Sequence, residues 1–193
     1  MQTIVKSSSG ITLVPIESRL LSDRKLFIKE EITAASACEF VKEIMLLVKE
    51  NPDAPIDVYI NSPGGELDAG LLIFDTLQGL STEVNLHCIG LASSVAAVIL
   101  AGGKAGHRLI LRHSRVMVHE PLIAGGVGGS ATSLRRISET IMERQRIVVR
   151  LLAACTGRSR EEIEQAISYD NYMNAEEAIT FGLCDRIESA VAG

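Results

Sequence analysis

Residues 84–103 read VNLHCIGLASSVAAVILAGG. The first six are rich in apolar side chains and fit a strand. Gly90 is expected to turn the chain, and Ser93 and Ser94 follow. Residues 95–101 are small or branched and apolar, which suits a buried helix. A serine at a strand-to-helix junction stands where unpaired helix N–H groups and the positive end of the helix dipole converge. Those groups can cap the helix, hold an anion or stabilise an oxyanion. The function turns on which of these applies.

The same pattern occurs just upstream. Residues 56–60 (IDVYI) read as a strand, 61–65 (NSPGG) as a turn and 68–78 as a helix. Two successive strand–glycine–helix units predict parallel β-α-β construction, with functional groups at the strand ends. Residues 1–15, with Ser-Ser-Ser-Gly and a proline, are expected to form a mobile arm, followed by a docking segment over 16–21. Residues 25–28 read as a strand. Residues 33–50 predict a helix, because Ala37, Phe40, Val41, Ile44, Leu47 and Val48 recur at helical spacing. Asn-Pro-Asp-Ala-Pro over 51–55 ends it.

Downstream, 108–111 and 115–119 read as short strands. Residues 122–130 carry four glycines. A long helix is expected over 131–154, with Leu134, Ile137, Ile141, Val148 and Leu152 on one side and charged residues on the others. At roughly 36 Å it is longer than a domain of this size needs, and so is expected to protrude toward another subunit. A short helix over 160–167 and a last one over 175–180, capped by Asn174, complete the chain.

The 193 residues suit one domain. Hydrophobic residues make up 47% but aromatics only 4%, with no Trp, so Leu, Ile, Val and Ala must build the core. A net charge of −5 gives no electrostatic case for binding nucleic acid or anionic membranes. Cys38, Cys88, Cys155 and Cys184 are scattered and lack the spacing of a zinc site, which predicts buried free thiols in a reducing compartment. The N-terminus lacks a secretion signal, and no apolar run reaches the ~18 residues of a membrane span. The expected location is the cytoplasm.

A serine hydroxyl needs a base to attack a carbonyl, and the base benefits from a carboxylate that orients it. His119 is the candidate base, at the end of a strand and before Glu120-Pro121. Asp170, between aromatic residues and before a helix, is the candidate carboxylate. Plainer readings stand beside these. Ser93 or Ser94 can simply cap a helix, His119 can be an ordinary strand-end histidine, and Asp170 can be a turn residue. Gly64-Gly65 is a tight turn or an anion cradle, but no Lys-Ser/Thr follows as in a P-loop. The serine site also lacks the Gly-x-Ser-x-Gly elbow of α/β hydrolases.

Four blocks resemble the proteolytic subunit family of the ATP-dependent Clp protease (ClpP), in the same order. They are YINSPGG (59–65), CIGLASS (88–94), SRVMVHEPL (114–122) and DNYMNAEEA (170–178). The resemblance covers about residues 16–187 and implies an α/β, crotonase-like fold of repeated β-β-α units with a protruding handle, here about 123–154. It implies a serine endopeptidase that selects Ser94 as nucleophile, with His119 as base and Asp170 as orienting carboxylate. The oxyanion donors would be the backbone N–H groups of Gly65 and Val95. Substrate would lie extended between Glu66-Leu67 and Leu122-Ile123. The resemblance further implies self-assembly into two stacked rings of seven, with room for a second ClpP-type subunit. A separate AAA+ unfoldase would consume ATP and supply unfolded polypeptide, while this chain would need no cofactor and no metal. Asp57 and His87 fall where many members place apolar or aromatic residues in the groove that receives the unfoldase. Two other roles fit the same blocks: a regulatory ring subunit with a misaligned triad, and an acyl-CoA enzyme of the crotonase class.

Overall fold

The computed structural model describes residues 1–7, 10–122 and 128–191, with 5–7 as backbone only. The chain begins with β1 (Gln2–Ser7), β2 (Gly10–Pro15), α1 (Ile16–Ser22), β3 (Lys25–Ile32), α2 (Ala34–Glu50), β4 (Ile56–Gly65) and α3 (Leu67–Gln78). It continues through β5 (Val84–Ser93), α4 (Val95–Ala101), β6 (Arg108–Leu111), β7 (Arg115–Val118) and α5 (Ala131–Thr156). It ends with α6 (Arg160–Ile167), β8 (Asn171–Met173), α7 (Ala175–Phe181) and β9 (Arg186–Glu188). Strands β3, β4, β5, β6 and β9 lie side by side in that order, all parallel.

The helices follow from local chemistry. Thr33 and Ser36 form a capping box at the start of α2, whose buried face is Ala37, Phe40, Ile44 and Leu47. Every residue of α4 is buried, as an apolar surface all round requires. Asn174 caps α7 through a box with Glu177. The 26 residues of α5 span about 39 Å. Its buried residues are Val148, Val149 and Leu152, all in the C-terminal third, so the N-terminal part projects from the body.

Strand β5 pairs with β4 on one edge and with two strands in turn on the other. Leu86, His87 and Cys88 pair with β6, whereas Leu91, Ala92 and Ser93 pair with β7. Against β4, Ile60 lies opposite Cys88 and Ser62 opposite Ala92, so β5 carries two extra residues between them. Asn61 Oδ1 accepts the Leu91 N–H at 3.1 Å across this bulge. The chain therefore does not turn at Gly90; the strand bends and goes on to Ser93.

Other expectations need correcting. Residues 61–65 are no turn: β4 continues through them, with Gly64 opposite Glu31 and Gly65 opposite Ile32. The pairing is irregular here, with Ser62 and Pro63 of β4 set against Glu30 alone, which has φ 62° and whose carbonyl accepts from Ser62 Oγ. Within the expected arm, Gln2–Ser7 and Gly10–Pro15 pair antiparallel as β1 and β2, separate from the main sheet. The short apolar runs flanking Ser-Ser-Ser-Gly are these strands. β9 is too short for its alternation to be read from sequence. Part of the expected handle, 123–127, lies outside the described residues.

Two arginines without a sequence signal hold helix ends. The Arg24 guanidinium donates to the carbonyls of Leu47, Asn51, Ala54 and Pro55, closing the end of α2. Arg108, only 8% exposed, donates to the carbonyls of Ala101, Cys155 and Gly182, at the C-terminal ends of α4, α5 and α7. One cation thus serves three negative helix ends. It also pairs with Asp185. Burial pushes that carboxyl up, but its bonds to the Arg108 guanidinium and to backbone N–H groups hold it below the ordinary range. Replacing Arg108 by Met takes the cation from three carbonyls and from Asp185, which keeps only its backbone N–H donors. Chemical denaturation is expected to show a loss of about 3–5 kcal/mol.

Candidate active site

The antiparallel pairing of β7 with β8 sets Val118 opposite Asn171. His119 follows the first strand and Asp170 precedes the second, so the register places these two residues across from one another. Parallel pairing of β5 with β7 sets Ser93 opposite Met117. The Ser94 N–H donates to the Met117 carbonyl at 2.9 Å, which brings Ser94 alongside the exit of β7. Three residues distant in sequence are thus gathered by two strand registers.

The side chains complete the arrangement. His119 Nε2 lies 3.0 Å from Ser94 Oγ, and His119 Nδ1 lies 3.2 Å from Asp170 Oδ1. The imidazole is largely buried, whereas the Asp170 side chain is 65% exposed in the single chain. The Glu120 N–H donates to the Ile167 carbonyl, and the Glu120 carboxylate accepts from Gln145, fixing the chain beyond His119 to α6 and α5. The Arg115 guanidinium stacks 4.8 Å above the Tyr172 ring and closes the β7–β8 pair.

Ser93 and Ser94 part company here. Ser93 ends a strand and points inward; its hydroxyl is buried and has no hydrogen-bond partner among the described residues. Ser94 has φ 57° and ψ −128°, a strained conformation for a non-glycine residue, and makes no side-chain capping bond. The helix-cap reading is therefore overturned for both.

Ser94 and His119 open into a cleft of about 650 Å³. Gly65, Glu66, Leu67, Val95 and Leu122, all named from sequence, line it, as do Arg144 and Val148 of α5. Ile123 lies outside the described residues. Gly65 ends β4, and Val95 opens α4, where the first N–H groups have no partner within the helix. A side chain at Gly64 would come within 2.6 Å of Ser94 Cβ, and one at Gly70 within 2.1 Å of a Val95 methyl. The absence of side chains at these two positions lets β4 and α3 close on the serine turn. Arg144 pairs with Asp68 at 2.9 Å, tying α5 to α3 beside the cleft. Neither Arg144 nor Glu31, which also lines the cleft, was singled out from sequence.

The remaining reactive groups lie elsewhere. Burial pushes the Cys88 thiol up to about 11 and also raises Cys184, so neither supplies a thiolate. No cluster of three His, Cys, Asp or Glu side chains among the described residues is arranged to hold a metal. No helix there is long and apolar enough to cross a membrane. His107 is half-buried, bonded to Asn85 and near Glu83.

An α/β fold that hydrogen-bonds a serine to an imidazole and the imidazole to a carboxylate, at the mouth of a cleft, is built as serine hydrolases are. The Clp protease family model matches residues 8–190. Chlamydia trachomatis serovars D and A each have an "ATP-dependent Clp protease proteolytic subunit 2" that is 40% identical over 181 residues, covering 94% of this chain and 88% of the relative. The Chlamydia muridarum protein of the same name is 39% identical over the same shares. The chain belongs to the Clp protease family, as a proteolytic subunit and serine peptidase.

Gly64→Ala is expected to fold but to displace Ser94, since the new Cβ meets Ser94 Cβ and the Ser93 carbonyl. A shift near 1 Å costs about 100-fold in rate, to be read as slower fluorophosphonate labelling and lower kcat.

Proposed function

We propose that this chain cuts peptide bonds through Ser94, with His119 as general base and then acid and Asp170 as orienting carboxylate. The observation that carries the reading is the unbroken line from Ser94 Oγ through both His119 nitrogens to Asp170. His119 takes the hydroxyl proton as Ser94 attacks the carbonyl carbon. The tetrahedral oxyanion is held by the N–H groups of Gly65 and Val95. His119 then protonates the leaving amine, and an acyl-serine remains. Water, deprotonated by the same imidazole, hydrolyses the ester and restores the serine. Substrate lies extended between residues 66–67 and 122–123 and adds a strand to the edges it meets. The whole chain serves as this one peptidase domain, with residues 1–15 as its arm and about 123–154 as its handle.

The same reading makes the chain one subunit of a chamber of two stacked seven-membered rings, homomeric or shared with a second ClpP-type subunit. Two features support assembly. The projecting part of α5 exposes Leu134 and Met142, which an isolated helix would not gain by showing to water. Asp170 is screened by solvent in the single chain, and coverage by a neighbour would strengthen its hold on His119. A separate AAA+ ATPase supplies unfolded protein and consumes ATP. This chain works without a cofactor or metal, in the cytoplasm.

Ser94→Ala is expected to lower peptide hydrolysis by at least about 10⁴-fold while leaving assembly, seen by sedimentation, unchanged. Hydrolysis that persists at the wild-type rate would remove Ser94 from the mechanism. The base must be neutral, so kcat/KM is expected to fall about tenfold per pH unit on the acid limb while the protein stays folded. A flat acid limb would remove His119.

A further inference from the structure

His87 has no part in the peptidase site, yet both of its ring nitrogens and one of its faces are engaged. It lies on β5 and is only 7% exposed. Its Nδ1 is 2.9 Å from Glu188 of β9, and its Nε2 is 3.3 Å from Asp57 of β4. A neutral imidazole has one N–H and one lone pair, so it can satisfy one carboxylate and must turn a lone pair on the other. The doubly protonated ring satisfies both. One face of that ring stacks on Tyr59 at 4.7 Å, and Tyr59 stacks in turn on Phe27 at 5.1 Å. The Tyr59 hydroxyl donates to the Val191 carbonyl. The terminal segment beyond Cys184 therefore reaches this ladder at two points, Glu188 on His87 and Val191 on Tyr59.

The charged groups around the ring favour the cation. Asp57 is acidic and also accepts from Asn85. Lys25 of β3 sits over the Tyr59 ring, at 5.7 Å from its centre. Glu83 and His107 meet on the far side of Asn85. The Arg186 guanidinium is turned away, onto the Gly106 carbonyl. Burial alone would push His87 toward neutrality. Its bonds to Asp57 and Glu188 override that and hold it above the ordinary imidazole range, and Asp57 is held below the ordinary carboxylate range chiefly by the same contact.

We propose that His87 is a proton-operated clasp for the C-terminal segment. Charged, it holds Glu188 and keeps residues 186–191 against the Phe27–Tyr59–His87 ladder; neutral, it releases one carboxylate and the segment opens, uncovering the ladder. The sign follows from a histidine that the fold keeps protonated. Its contribution is complete at low pH and is lost as pH rises through the titration of His87 in the folded protein.

The test uses the full-length assembled protein between about pH 5.5 and 8.5, where histidine is the side chain that ordinarily changes charge. Amide deuterium exchange over residues 186–191 is measured by mass spectrometry and corrected for intrinsic rates. Exchange at the imidazole C2 position reports the titration of His87 on the same samples. Protection is expected to fall by up to about tenfold per pH unit as one proton leaves, with the midpoint of His87 and above the usual value of about 6.5. Glu188→Gln keeps the fold and the peptidase site; it is expected to lower the His87 midpoint and flatten the pH dependence of protection. His87→Gln is expected to leave protection low at every pH, with fluorophosphonate labelling of Ser94 unchanged. Protection that does not vary with pH in the wild type, or that varies identically in Glu188→Gln, would overturn the clasp.

Discussion

Val118 faces Asn171 across an antiparallel pair, and two residues that lie far apart along the chain become neighbours as a result. The Ser94–His119–Asp170 geometry depends on that register, since a slip of one residue would send His119 and Asp170 to opposite faces. It holds because β7 is pinned on its other side by β5, and β5 is free to take β7 as a partner only after it has left β6. The bulge opposite Asn61 is where that change of partner occurs. The irregularity in the middle of the sheet is thus the cause of the site at its end.

Close approach is the second requirement. The serine turn is surrounded by backbone from three directions: the end of β4, the first turn of α3 and the exit of β7. Gly64 and Gly70 give up side chains so that two of these can close in. Arg108, with its hold on the ends of three helices, keeps the layer behind the turn in place. A rigid scaffold matters to the proposed mechanism, in which the hydrogen bonds to His119 keep their alignment through two proton transfers.

Much of this was legible in the sequence. Helical periodicity located α2 and α5, and Asn174 with Glu177 announced α7. His119 stood out at the end of a short apolar strand and the Ser93-Ser94 pair at a strand-to-helix junction, while Asp170 was marked only by its place between aromatic residues and before a helix. The two serines could not be told apart by residue type, because the difference lies in backbone angle: Ser93 completes the strand and buries its hydroxyl, while Ser94 takes a positive φ. Residues 61–65 carried the residues of a turn, yet parallel pairing with β3 keeps them extended. The roles of Arg24 and Arg108 were invisible, since what marks them is a set of carbonyls gathered from distant helix ends. The partners of His87 were hidden in the same way, one on β4 and one near the C-terminus.

The backbone of Ser94 has a consequence for descent. Holding a non-glycine residue in that conformation costs on the order of 1–3 kcal/mol, a cost that the proposed role of its hydroxyl as nucleophile would justify. In a duplicated gene relieved of hydrolysis, that balance reverses. Glycine would then ease the turn without disturbing its neighbours, and drift would erase the nucleophile before the surrounding architecture decayed.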